Sequence, residues 1–170
     1  MDPETAATGA PAPTAPPAAE APPAPPVPTV DDVDVEAYAR TVGETSDADL
    51  AAALRENRDS VIDLIFAGME RHYRGGDKVA MVVHWEILDR ADGGSDLIEM
   101  AIAGGTAKST RSPQRSPDVT LKIAAIDFVK LVTGHASGAK LFARRRVRVA
   151  GNLKLAARVS TLFAIPGKGR

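Results

Sequence analysis

The sequence predicts an α+β domain built on a mainly antiparallel β-sheet covered by helices, and three observations predict it. Apolar residues recur at helical spacing between Ser46 and Tyr73. At Lys78 the period changes, and "KVAMVVHWEIL" from Lys78 to Leu88 is rich in the β-branched and aromatic residues that suit a pleated surface. Directly after it "DRADGGSD", Asp89 to Asp96, supplies turn chemistry before a second apolar run, "LIEMAIAG" from Leu97 to Gly104, so the two runs form a hairpin. With 170 residues the chain has room for one such domain and a tail.

The tail comes first. "APAPTAPPAAEAPPAPPVP", Ala10 to Pro28, has no Lys or Arg and almost no large apolar side chain, so it cannot bury enough surface to offset the entropy of ordering. Residues 1–30 are expected to be a disordered Pro/Ala-rich tail, and Pro13 to Pro16 matches a P-x-x-P ligand without the flanking cation that such ligands carry. The basic start and apolar core of a signal peptide are missing, and nowhere does the chain reach the roughly 18–20 apolar residues of a membrane span, so a cytoplasmic location is expected.

The domain is expected over 31–166, with 167–170 as a short C-terminal tail. Asp31 to Thr41 reads as a short helix. Ser46-Asp47-Ala48-Asp49 resembles a capping box with Asp in place of Glu, opening a helix in which Leu50, Leu54, Val61, Ile65 and Met69 recur. Asn57 or Asp59 is the expected break in it, and Gly75-Gly76 its stop. After the hairpin, Gly105 to Arg111 and the alternating "DVTLKI", Asp118 to Ile123, supply a third and a fourth strand. "AAIDFVKLVTG" then gives an amphipathic helix carrying Ile126, Phe128, Val129 and Leu131 and ended by Gly134. The Asp89, Asp92 and Gly93 trio lacks an acidic residue at the last ligand position of a calcium loop and reads as a turn.

Composition excludes several chemistries. There is no cysteine, so disulfides, thiolate metal sites and a cysteine nucleophile are absent. His72, His84 and His135 sit in separate segments with no H-E-x-x-H pairing, which argues against metal or triad catalysis, and no cofactor is expected. The 21 basic and 22 acidic residues nearly balance, yet no Asp or Glu follows Asp127 while ten Lys or Arg do.

Four of those ten, the densest group, lie in "ARRRVRVAGN", Ala143 to Asn152. Taken as a strand, the segment places Arg144, Arg146 and Arg148 on one face and Val147 and Val149 on the other. Such a stripe protects an edge strand from pairing with another molecule. It also offers contact with an anionic membrane surface. Nucleic-acid binding would call for aromatic residues interleaved with the charge, and Phe142 alone does not provide them, so no nucleic-acid partner is expected. The next helix, capped by Asn152, carries Leu153, Leu155, Ala156, Ala157, Val159, Leu162 and Phe163. These cover more than one apolar face, so the helix is expected to be covered on more than one side. Its middle is built of small residues, Ala156, Ala157 and Ser160, which either allow close packing or leave space.

The ordered set "SPDVTLKIAAIDFVKLVTG" and "ASGAKLFARRRVRVAGNLKLAARVSTLF", with Gly134 and Gly151 seventeen apart, resembles the C-terminal half of the sterol carrier protein type 2 domain. The likeness runs over roughly Ser46 to Phe163, strongest in the second half, and is closest to single-domain bacterial members with "LVTG" and "LFxIP" segments. It implies a five-stranded sheet covered by helices around an apolar tunnel that binds fatty acid, fatty acyl-CoA or a sterol-like lipid without catalysis. By position, the implied tunnel residues are Phe128, Leu131, Leu141, Phe142, Leu153, Ala156, Val159 and Ser160, with Met81, Val83, Trp85, Ile98 and Met100 from the sheet. Two departures stand out. Arg145 occupies a place where the family often has Gly, and Ser160 replaces a common Gln. A different class stays open at this point, an accessory module with a vestigial pocket that docks a protein or anionic partner.

Overall fold

A computed structural model describes residues 35–163. The expected tails at 1–30 and 167–170, and the first residues of the expected opening helix, lie outside the described residues. The elements run α1 (Val35–Glu44), α2 (Asp47–Arg71), β1 (Met81–Leu88), β2 (Asp96–Ala103), β3 (Thr106–Thr110), β4 (Val119–Ala124), α3 (Ala125–Val132), α4 (Gly138–Ala143), β5 (Val147–Gly151) and α5 (Leu153–Leu162). Among these residues no helix is long and apolar enough to cross a membrane.

Local chemistry accounts for most boundaries. Ser46 caps α2 by accepting from Asp49 N at 3.2 Å, and its hydroxyl donates to the Asp49 carboxylate at 2.7 Å, a side-chain bond in place of the one that glutamate accepts from the cap backbone N–H in a capping box. Asn57 leaves helical geometry (φ −126°, ψ 27°) and kinks α2. The kink shifts the phase of the apolar stripe, which is why Ile62 and Phe66 join Ile65 and Met69 in the core while Val61 is only partly covered. Gly104 and Gly105 both have positive φ, the requirement of the tight hairpin turn that joins β2 to β3.

The sheet has the order β3-β2-β1-β4-β5. Three of its four pairings are antiparallel, and the fourth, β1 with β4 at the centre, is parallel. Register aligns side chains in rows across the strands. Ile98, Trp85, Leu121 and Val149 form one inward row, and Met100, Val83 and Val119 the next. The helices cover this face, and along β1 inward Met81, Val83, Trp85 and Ile87 are buried while the alternate residues are half-covered. On the opposite face the segment after β3 folds over His84 and Glu99, with Gln114 N and Arg115 N donating to Glu99 Oε2 at 2.9 and 2.7 Å.

Ionic contacts tie the cover down at the β1–β2–β3 end. Arg58 of α2 donates to Asp96 at 2.7 Å and to the carbonyls of Ile87, Leu88 and Asp89, so one side chain holds the hairpin against the helix. Arg90 and Arg111 reach the same buried carboxylate. In the turn, Arg90 pairs with Asp92, and Asp92 Oδ1 accepts from Gly94 N at 2.9 Å. Further along α2, Glu70 accepts from Ser109 N and Ser109 Oγ of β3.

Candidate apolar cavity

Over the β4–β5 end of the same sheet face the packing does not close. An open cavity of about 420 Å³ lies between sheet and helices, within the ~300–1,000 Å³ usual for small-ligand sites. Its floor is the row Trp85, Leu121 and Val149, with Val147 beside it. Ile65, Gly68 and Met69 of α2 form one wall. Leu131 and Val132 of α3 with Gly138, Ala139 and Phe142 of the α4 helix form a second, and Leu153, Ala156, Ala157, Val159 and Ser160 of α5 a third.

Small residues explain why space remains. Gly68 sits inside a helix, where glycine is unfavourable, and a Cβ placed on it would touch nothing within 4 Å. Ala156 and Ser160 share a face of α5 four residues apart. The far ends of α2 and α5 are clipped together by a bridge between Tyr73 and Phe163, whose rings meet edge-on at 5.9 Å, and by Arg74 N donating to Leu162 O at 2.7 Å. At the rim two large apolar side chains stay in solvent, Phe142 at 48% and Leu153 at 55% exposure.

Polar groups around the cavity are few. Thr133 Oγ1 is satisfied by Val129 O at 2.7 Å, and Ser160 Oγ by Ala157 O at 3.1 Å. Burial pushes the Tyr38 phenol above its ordinary range, so it stays neutral. Arg71 and His72 stand at the end of α2, with Arg71 on the exposed side. The indole N–H of Trp85 is buried and has no hydrogen-bond partner among the described residues.

Of the thirteen residues that the resemblance implied, the structure brings seven to the cavity wall: Trp85, Leu131, Phe142, Leu153, Ala156, Val159 and Ser160. The other six are elsewhere. Met81, Val83, Ile98 and Met100 fill the core beneath α2 on the other half of the sheet, and Phe128 and Leu141 are packed inside it. The four sheet residues share the inward face with the wall residues, but there the packing is closed except for a smaller cleft that Ile98 borders. Sequence reasoning missed Gly68, Leu121, Val149 and Tyr38. A glycine inside a strong helical pattern was the one signal available for the first.

The arginine segment departs from the expected stripe. Helix α4 continues to Ala143, Arg144 is its C-cap, and Arg145 has φ +57°. Arg145 N donates to Phe142 O and Arg146 N to Leu141 O, the paired bonds of a Schellman motif. This is the position that favours glycine, which gives the departure at Arg145 its physical meaning. Only from Val147 does strand alternation begin, with Val147 and Val149 inward and Arg148 outward on an edge strand. Arg146 is not a free surface charge either, since its Nε donates to the buried Asp127 carboxylate at 2.8 Å. The three arginines therefore do not form one face. Helix α5 also differs from expectation. It buries Val159 and Leu162, Leu155 is partly buried against the core, and Leu153, Ala156 and Ala157 border the cavity.

Helices packed on one face of a five-stranded sheet, with an apolar cavity between them and the sheet, define an α+β fold. The chain belongs to the SCP-2 sterol transfer family, whose model matches residues 77–164. Among solved structures it is similar to Sterol Carrier Protein 2 Like 2 from Aedes aegypti, at 19% identity and a TM-score of 0.51, over 65% of this chain and 99% of that one. It is similar also to the inverting sec-alkylsulfatase Pisa1 from Pseudomonas sp., at 16% identity and a TM-score of 0.53, over 63% of this chain but 17% of the sulfatase. At these identities the likeness is one of fold. No curated protein matches the sequence.

Proposed function

We propose that this domain is a non-enzymatic lipid carrier that holds a long apolar ligand, a fatty acid, fatty acyl-CoA or sterol-like molecule, in the cavity between the β4–β5 end of the sheet and helices α2 and α5. The observation that carries the reading is the cavity itself, about 420 Å³ with almost wholly aliphatic and aromatic walls. Each methylene moved from water into such a site contributes about 0.8 kcal/mol, so a long chain reaches micromolar affinity after binding costs without any catalytic group. Family membership supports the same class of ligand.

Entry follows from the rim. Exposed Phe142 and Leu153 border the cavity, and Lys140, Arg144, Arg145 and Lys154 are exposed close to them in the chain. Apolar side chains ringed by cations suit transient contact with an anionic membrane surface, where each cation contributes on the order of 1 kcal/mol. The contact surface is accordingly the rim rather than a stripe of Arg144, Arg146 and Arg148.

Native mass spectrometry of gently purified protein, followed by lipid extraction, is the direct test. A second arm uses Gly68→Leu. The added side chain enters open space, so the variant is expected to melt no lower than wild type while its affinity for a fluorescent fatty acid falls at least tenfold. Wild-type affinity in a stably folded variant would remove the cavity as the binding site.

A further inference from the structure

Helix α1 enters the cavity wall through Tyr38, and its seat is slight. Ala39 and Val42 are buried and Tyr38 is half-buried, while Arg40, Thr41, Gly43 and Glu44 are exposed. At 10 residues it is shorter than the roughly 12–15 that an isolated helix needs in water, so its order depends on what it packs against. It packs on α3, and the connection from α3 to α4 holds it. His135 in that connection donates from Nε2 to Ala39 O at 2.7 Å, and its ring lies so close to Gly43 that a Cβ there would stand 2.5 Å from Cε1. Gly43 has no positive φ, and alanine is the better helix former, so the glycine serves to make room for the ring. The elements beside α1 are fixed without it. Ser46 caps α2, and Lys130 of α3 pairs with Asp47 in the first turn of α2, which ties those two helices directly.

We infer that α1 is a hinged lid on the lipid cavity, latched by His135 against Gly43 and pivoting at Thr45–Ser46, which leaves its seat to pass the ligand while α2, α3 and the sheet stay folded. This rests on the lipid-binding reading and concerns the control of that site. Departure of α1 takes Tyr38 out of the wall and widens the cavity, and its return covers the ligand and slows its release. The latch stands where it can respond to occupancy. It lies on the short connection between the lining residues Leu131, Val132 and Thr133 and the lining residues Gly138, Ala139 and Phe142, so a ligand seated against either group bears on the loop that holds the lid.

Hydrogen exchange on the full-length protein tests the lid without a substitution. Amides of α1 are expected to exchange through local opening, well before those of α2 and β1, and to slow when a fluorescent fatty acid is bound. Amides of α1 that exchange only together with the sheet, or at a rate the fatty acid leaves unchanged, overturn the inference. Gly43→Ala tests the latch, because ring and Cβ cannot both keep their places and the ring yields only by leaving Ala39 O. In stopped-flow mixing, uptake and release of the fatty acid are each expected to quicken about tenfold, with affinity changing less than about threefold. In a His135→Ala background no ring opposes the Cβ, and the same substitution is expected to add nothing. Wild-type rates in Gly43→Ala, or an equal further effect in the His135→Ala background, overturn the latch. If the fatty acid does not bind wild-type protein, the lipid-carrier reading falls and the lid with it; if it binds and α1 never opens separately, the lid alone falls.

Discussion

The two halves of one sheet face are built to different ends. Over β1, β2 and β3 the inward residues Met81, Val83, Ile98, Met100 and Ile102 are at most 4% exposed, and the cover is the long helix α2 held by Arg58, Glu70 and Arg111. The cleft on that side holds about 180 Å³ and is walled partly by Asp63, Glu70, Ser109 and Arg111. Over β4 and β5 the cover is α2 at Gly68 together with the shorter helices α3, α4 and α5, whose lining includes Gly138, Ala139, Ala156, Ala157 and Ser160, and a larger apolar void remains. Both halves present the same alternation of apolar residues. The difference teaches that a strand's pattern says which side faces inward, while the size of the opposing helix residues says whether that side meets atoms or space.

The sharpest test of this contrast is Met100→Ala. In a close-packed half it should cost about 2–5 kcal/mol in urea unfolding, with ligand affinity per folded molecule unchanged. A loss under about 1 kcal/mol would mean that this half is hollow too.

Next in size is Arg146→Glu. It leaves Asp127, 4% exposed at the side chain, without its partner and facing a like charge, so a loss of about 2 kcal/mol is expected. Unchanged stability would return Arg146 to the role of a plain surface charge. Arg145→Gly should act in the opposite direction, raising stability by about 1 kcal/mol, because it relieves a left-handed residue of its Cβ contacts. A fall in melting temperature would show that the Arg145 side chain contributes more than its strain costs.

Phe142→Ala is the hollow-half counterpart of Met100→Ala. Half exposed, it should change stability by less than about 0.5 kcal/mol, yet weaken lipid binding and uptake from anionic vesicles. Vesicle uptake equal to wild type would dissociate the rim from ligand entry. The smallest effect is confined to acid. Hydrogen bonding from Arg115 N, opposed by burial and aided by Gln114 N and His84, holds the Glu99 carboxyl below its ordinary value. A depressed folded value means that the stabilisation is present above the ordinary 4.5 and is lost as pH falls through the folded value. Glu99→Gln should therefore flatten the stability profile below about pH 4.5, and an unaltered profile there would assign the acid loss to other carboxylates.

Much of this protein was determined by its sequence alone, because short-range rules govern those parts. β-branched and aromatic composition marked β1, the turn after it marked β2, alternation marked β4, Asn57 or Asp59 marked the kink that falls at Asn57, Ser46 and Asn152 marked two caps, and Gly134 marked the end of α3, each through bonds or steric limits spanning a few residues. The arginine segment lay at the limit of such reading. Strand alternation described it from Val147 onward, but a helix ending in a left-handed Arg145 took the residues before it, a choice made by hydrogen bonds back to Leu141 and Phe142. The wall of the candidate cavity was legible only in part. Seven residues proposed for it face the cavity, and the six that do not satisfy the same local pattern of an inward apolar side chain. Only the tertiary structure decided between wall and core, since a void is a property of the opposing surface: Trp85 borders space because Gly68, Ala156 and Ser160, distant in the chain, bring too few atoms to fill it.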